Sequence, residues 1–133
     1  PGIGIITAKS LIAYIGNGGQ FKNGRELSSW LGLVPRQYST GGKQTLFGIS
    51  KRGNKDLRCL IVHCARSLLS SSKKTNSKFV TNNKYLGNWL KKLTEVKHSN
   101  IACVALANKL ARITWAVNIK QKPYEAAKVT ANI

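Results

Sequence analysis

The densest chemistry in the chain lies between Arg36 and Gly53. Ser39 and Thr40 precede Gly41-Gly42-Lys43, and Ser50 precedes Lys51-Arg52-Gly53, so three hydroxyls stand among glycines and the cations Arg36, Lys43, Lys51 and Arg52. That mixture suits phosphoryl transfer. A serine attacking a phosphodiester needs an accessible Oγ, positive charge for the pentacovalent phosphorane, and a route for its proton. The segment supplies the first two. The only histidines, His63 and His98, lie in other segments, and no spacing ties them to Ser39. On composition alone, a loop that merely holds phosphates outweighs catalysis.

A second candidate is Pro1-Gly2-Ile3-Gly4, followed by Thr7. It resembles the second half of a helix-hairpin-helix element, in which a glycine turn lets backbone N–H groups at a helix start approach a DNA phosphate. Gly2, Gly4 and Thr7 are its candidate contacts; the plainer reading is a turn that lets two helices pack. Arg58, Arg66, Lys73, Lys74 and Lys78 form either a phosphate track or a solvated face. Cys59 and His63 are four apart on an expected helix, yet Cys59, Cys64 and Cys103 are odd in number and form no CxxC pair, so no metal site is expected. Trp30, Trp89 and Trp115 fall on apolar stripes and are expected in the core rather than as base-stacking rings.

These residues sit in a chain with 22 Lys and Arg against four acids, a net charge of +18. Glu26, Asp56, Glu95 and Glu125 are scattered singly, which excludes a complete two-metal centre within these 133 residues. So basic a surface calls for a polyanion, nucleic acid first. With 42% hydrophobic residues, three Trp and four Tyr, the chain has material for a core. It holds no apolar run of membrane-spanning length and no leader pattern. The expected setting is a reducing cytoplasm without membrane contact. The first residue is Pro1 and there is no Met, so the expectation is a fragment of a longer protein.

The elements that must carry the candidates read as helices. Apolar spacing predicts a helix through Ile6, Leu11, Ile12 and Ile15, a second over about 23–31 stopped by Gly32 and Pro35, and a third over 54–69 with Asn54 as N-cap. Residues 83–94 and 100–119 supply two more, the last apolar on nearly every side. The stretch 36–53 shows neither helical nor strand period and reads as a long basic loop; 70–78 reads as a polar linker, and the tail beyond Pro123 as frayed. The expected fold class is a small all-α domain. It divides into a helix-hairpin-helix-like part (1–32), an active-site loop (33–53), a helical core (54–119) and a tail (120–133).

Three ordered motifs add to this reading: Pro1-Gly-Ile-Gly, Leu31-Gly-Leu-Val-Pro-Arg-Gln-Tyr-Ser-Thr-Gly-Gly-Lys, and Gly48-Ile-Ser-Lys-Arg-Gly-Asn followed by Leu57-Arg58. Together they resemble the C-terminal domain of IS-one-ten-type insertion-sequence transposases, whose layout the Piv DNA invertases share. The likeness is strong over about residues 1–70. It implies a parent protein whose RuvC-like N-terminal domain binds Mg2+ through Asp/Glu/Asp/Asp, with no cofactor in the present chain. It implies a nucleophilic serine at Ser39, with Thr40 as second choice, forming a covalent phosphoseryl link to a cleaved strand. Arg36, Lys43, Lys51 and Arg52 would stabilise phosphate, with Gly2, Gly4, Thr7, Ser50 and Arg58 in further nucleic-acid contacts. The implied partners are double-stranded DNA, a structured guide RNA and further copies of the protein, in a bacterial cytoplasm at the nucleoid. The contrasting reading is a non-catalytic helix-hairpin-helix-like module for DNA or RNA; a ribosome-associated RNA-binding protein ranks last.

Overall fold

The computed structural model describes residues 1–126, and the side chains of all of these except 37–40 and 44–47. In chain order the elements are α1 (Ile5–Ile15), α2 (Gly24–Trp30), β1 (Pro35–Thr40), β2 (Lys43–Ile49), α3 (Lys55–Ser72), α4 (Lys78–Asn82), α5 (Lys84–Val96) and α6 (Ser99–Lys120). The domain is mostly helical, as its periodicity predicts.

The core is organised by α6, whose Ala102, Cys103, Leu106, Ala107, Leu110, Ala111 and Ile113 are buried on several sides. Against it pack α2, α3 and α5, bringing Leu27, Leu31, Leu57, Ile61, Leu86 and Leu90 into the same cluster. Each such fully buried side chain contributes roughly 2 kcal/mol of hydrophobic free energy. Polar side chains fasten the first part of the chain to α6 across the core. Trp115 Nε1 donates to the Gly18 carbonyl at 3.1 Å, Asn118 Nδ2 to Gly16 at 2.8 Å, Asn108 Nδ2 to Leu33 at 3.3 Å, and Ser28 Oγ to the Asn108 carbonyl at 3.2 Å.

Helix starts follow their sequence signals. Asn54 Oδ1 accepts from Leu57 N at 3.0 Å, and Asn23 Oδ1 accepts from Glu26 N at 3.0 Å while Glu26 Oε2 accepts from Lys22 N at 2.8 Å. Glu26 and Asp56 both lie in first turns, where a carboxylate complements the helix dipole. Two of the four acids thus serve helix ends.

Two expectations need correction. The stretch 36–53 is not a featureless loop, because β1 and β2 pair antiparallel around Gly41 and Gly42, whose φ angles of +57° and +80° make a two-residue reversal that L side chains resist. The Gly-Gly pair was the signal for it. Strand alternation is obscured because the register shifts from Gln37↔Leu46 to Pro35↔Ile49, which gives β2 one extra residue. The polar linker is also shorter than expected, since α3 runs on to Ser72 and α4 begins at Lys78, anchored by buried Phe79. Within 1–32, α1 packs on α3 and α2 on α6. The expected frayed tail falls partly on 127–133, outside the described residues. Among the described residues, no helix is long and apolar enough to cross a membrane.

Candidate nucleic-acid interface

The root of the β1–β2 hairpin is fixed by backbone packing against the end of α2. Ser50 N donates to Val34 O at 2.9 Å and Lys51 N to Gly32 O at 3.1 Å, while Arg58 Nη1, from the start of α3, donates to Leu31 O at 3.2 Å. Gly32 (φ +73°) and Gly53 (φ +97°) make the approach possible, since a Cβ at Gly32 would strike the Arg52 backbone and one at Gly53 the Trp30 carbonyl. Lys51 takes a positive φ of 55°, held there by these neighbours. Ser50 Oγ accepts from Arg52 N at 3.4 Å, closing the turn. The Arg36, Lys51 and Arg52 side chains are thereby left exposed around one root.

The tip holds the candidate nucleophiles. Ser39 and Thr40 are the last two residues of β1, in register with Gln44 and Lys43, and Lys43 is exposed. The side chains of Ser39 and Thr40 lie outside those described. The root at Val34 is five residues from Ser39 along the strand (39 − 34), about 16 Å at a rise of ~3.3 Å per residue. The structure therefore separates the expected contact residues into two sets: Lys43 belongs with Ser39 and Thr40, whereas Arg36, Ser50, Lys51, Arg52 and Arg58 gather at the root.

The glycine turn before α1 lies elsewhere. Gly2, with φ +73°, is seated on Leu68, whose side chain leaves no room for a Cβ, whereas a Cβ on Gly4 would meet open space. Packing thus accounts for Gly2 and leaves Gly4, the N-cap of α1, without a steric reason to be glycine. Leu68 is ten residues beyond Arg58 on α3 (68 − 58), about 15 Å along the helix. Thr7 departs from its expected role: its side chain is buried in the α1–α3 contact, with Oγ1 3.5 Å from Cys64 Sγ. His98 is the N-cap of α6, its Nδ1 accepting from Asn100 N at 3.2 Å, and His63 is exposed on α3. Among the described residues, no three His, Cys, Asp or Glu side chains come together as metal ligands.

Two residues stand apart from the sequence reading. Trp30, expected in the core with Trp89 and Trp115, is 38% exposed beside the hairpin root, its ring 5.7 Å from that of Phe21. Lys109 is only 7% exposed, with Nζ 4.3 Å from the Trp89 ring centroid and 5.4 Å from that of Tyr85. Burial, and then the charge of Arg112, hold its pKa below the ordinary lysine value. An interruption of the α6 apolar pattern marked Lys109; nothing in the spacing of α2 marked Trp30.

A mostly helical domain, strongly basic and displaying one rooted hairpin, is the class these features define. Residues 1–81 match the "Transposase IS116/IS110/IS902 family", and the chain belongs to that family. The transposase for insertion sequence element IS1111A of Coxiella burnetii is 50% identical over 125 residues, covering 93% of this chain and 32% of the relative. The transposase for insertion sequence element IS1328 of Yersinia enterocolitica is 47% identical over 117 residues, covering 88% of this chain and 33% of the relative. A pilin gene-inverting protein of Moraxella lacunata is 30% identical over 128 residues, covering 94% of this chain and 36% of the relative. The chain spans about a third of the length of the curated relatives it matches.

Proposed function

We propose that this chain is the DNA-contacting, serine-bearing part of a transposase or recombinase. The observation that carries the reading is the hairpin: a tight Gly41-Gly42 reversal with Ser39 and Thr40 on one side and exposed Lys43 in register on the other. In this reading Ser39 Oγ attacks a phosphodiester. An Oγ–P bond forms as the P–O bond to one DNA strand breaks, and the proton lost from the serine hydroxyl is balanced by the one the leaving strand oxygen takes up. The phosphoseryl bond keeps the energy of the broken one, so attack by another strand end rejoins DNA without a nucleoside triphosphate. Lys43 bears on the phosphorane, while Arg36, Lys51, Arg52 and Arg58 hold the flanking backbone; Gly4 at the start of α1 offers a second, separate phosphate contact.

The Mg2+ implied by the family resemblance does not fit the carboxylates described here. Glu26 is engaged at the α2 start, Asp56 lies in the first turn of α3, and no cluster of candidate ligands forms among the described residues. The ion belongs in this reading to the RuvC-like part of the full-length protein. A structured RNA and further copies of the protein complete the assembly, and a net charge of +18 supports so large a polyanion load. The setting is the bacterial cytoplasm, at the nucleoid.

The test is covalent trapping with the full-length protein, a nicked suicide DNA and cognate RNA, followed by peptide mapping. An adduct on Gln37–Lys43 that disappears in Ser39→Ala is the expected result. Persistence there with loss in Thr40→Ala moves the nucleophile by one residue. Tight binding without any adduct leaves a non-catalytic binding module in place of the proposal.

A further inference from the structure

We propose that Trp30 is a stacking platform for an unpaired nucleobase, with Lys51 and Arg52 taking the adjoining phosphates. The inference rests on the nucleic-acid-binding part of the function above and is independent of which residue is the nucleophile.

Trp30 ends α2 and remains 38% exposed, although Leu27 and Leu31 on either side of it are fully buried. Its ring is backed rather than free: Phe21, packed against the core, meets it at 5.7 Å with an interplanar angle of 58°. Its backbone is equally constrained, because the Trp30 carbonyl lies against Gly53 closely enough to forbid a Cβ there. The turn that carries exposed Lys51 and Arg52 is therefore held against the end of α2, and Lys51 keeps a positive φ. Exposed Lys22 and Arg25 flank the N-terminal side of the same helix. Glu26, one turn before Trp30, accepts from Lys22 N, so its carboxylate is engaged at the start of the helix.

An exposed indole with a ring neighbour, at a helix end against which a turn carrying exposed cations is packed, has the chemistry of single-strand recognition. Bases within a duplex spend both faces on their neighbours, so only a base at a strand end, in a loop or flipped outward can lie on a side-chain ring. Strand cleavage and rejoining pass through such ends. A plain surface aromatic would have neither a ring partner holding its plane nor cations tied to its backbone.

The experiment measures binding of this chain to a short fluorescent single-stranded oligonucleotide and to the blunt duplex of the same sequence. Trp30→Ala weakens single-strand binding about tenfold and leaves the duplex within about twofold, while Trp30→Phe retains most of the single-strand affinity. Lys51→Ala or Arg52→Ala lowers the salt slope for the single strand by about 0.7, and Trp30→Ala leaves that slope unchanged. A second measurement needs no alanine variant. In the chain labelled with 5-fluorotryptophan, the resonance missing from Trp30→Phe moves on adding the single strand and stays in place with the duplex. Equal weakening toward both nucleic acids, no weakening at all, or an unmoved Trp30 resonance overturns the platform, the last two being the expectation if Trp30 is covered by another part of the full-length protein. Failure of the unaltered chain to bind either nucleic acid sinks both this inference and the reading beneath it.

Discussion

Lys109 shows how a cation is accommodated in the middle of this core. The aliphatic stem fills space between α5 and α6, and the ammonium lies on the faces of Trp89 and Tyr85, which return part of the cost of removing it from water. The remaining cost appears as a lowered pKa. Because the folded group releases its proton at lower pH than the unfolded one, the unfolded chain binds more protons between those two values. Stability contributed by this residue therefore rises with pH across the alkaline window below the ordinary lysine value. Replacing Lys109 by Met keeps the stem and removes the charge: urea unfolding should show a higher midpoint at neutral pH and a flatter rise toward alkaline pH. Lys109→Ala should instead cost about 2–3 kcal/mol, because it leaves a cavity between two rings. A Met variant less stable than the Ala variant would show that the ammonium itself holds α5 to α6.

At the scale of elements, the hairpin depends on its reversal. Gly42 has φ +80°, so Gly42→Val should break the pairing of Thr40 with Lys43 and destabilise the tip, while Gly41→Asn, which tolerates a left-handed conformation, should preserve it. Amide exchange at residues 38–45 checks this: faster exchange in the Val variant only is the expected outcome. The same hairpin marks where the sequence was and was not informative. A helix with a sustained apolar period and an Asn cap, such as α3, could be read directly, because burial selects one residue in every three or four and the cap satisfies free N–H groups locally. The hairpin could not, since β1 reads Pro-Arg-Gln-Tyr-Ser-Thr with no apolar alternation and the register shift breaks the period on β2. The candidate site was legible as a motif, Ser-Thr-Gly-Gly-Lys. Its division into tip and root was not, because it depends on strand register. Trp30 was misplaced because a seven-residue helix ends at the surface before its stripe is covered.

For the molecule as a whole, charge acts with opposite signs on folding and on binding. Twenty-two cations against four acids repel one another in the folded chain more than in the expanded one, so screening should stabilise the fold. Raising salt from low to moderate concentration should increase the thermal midpoint and, over the same range, weaken DNA binding steeply. Thermal scans and binding isotherms on one set of buffers test both; a midpoint that falls with salt would show that attractive pairs dominate the surface. A different consequence follows from the bonds that run from Trp115 and Asn118 back to Gly18 and Gly16, and from Asn108 to Leu33. Synthesis proceeds from the N-terminus at about 5–20 residues per second. The segment that matches the family ends at residue 81, yet the wall that buries Leu27, Leu31 and Ile61 is α6, made well after them. At that rate these side chains leave the ribosome several seconds ahead of the helix that covers them, and their core closes only once α6 has followed.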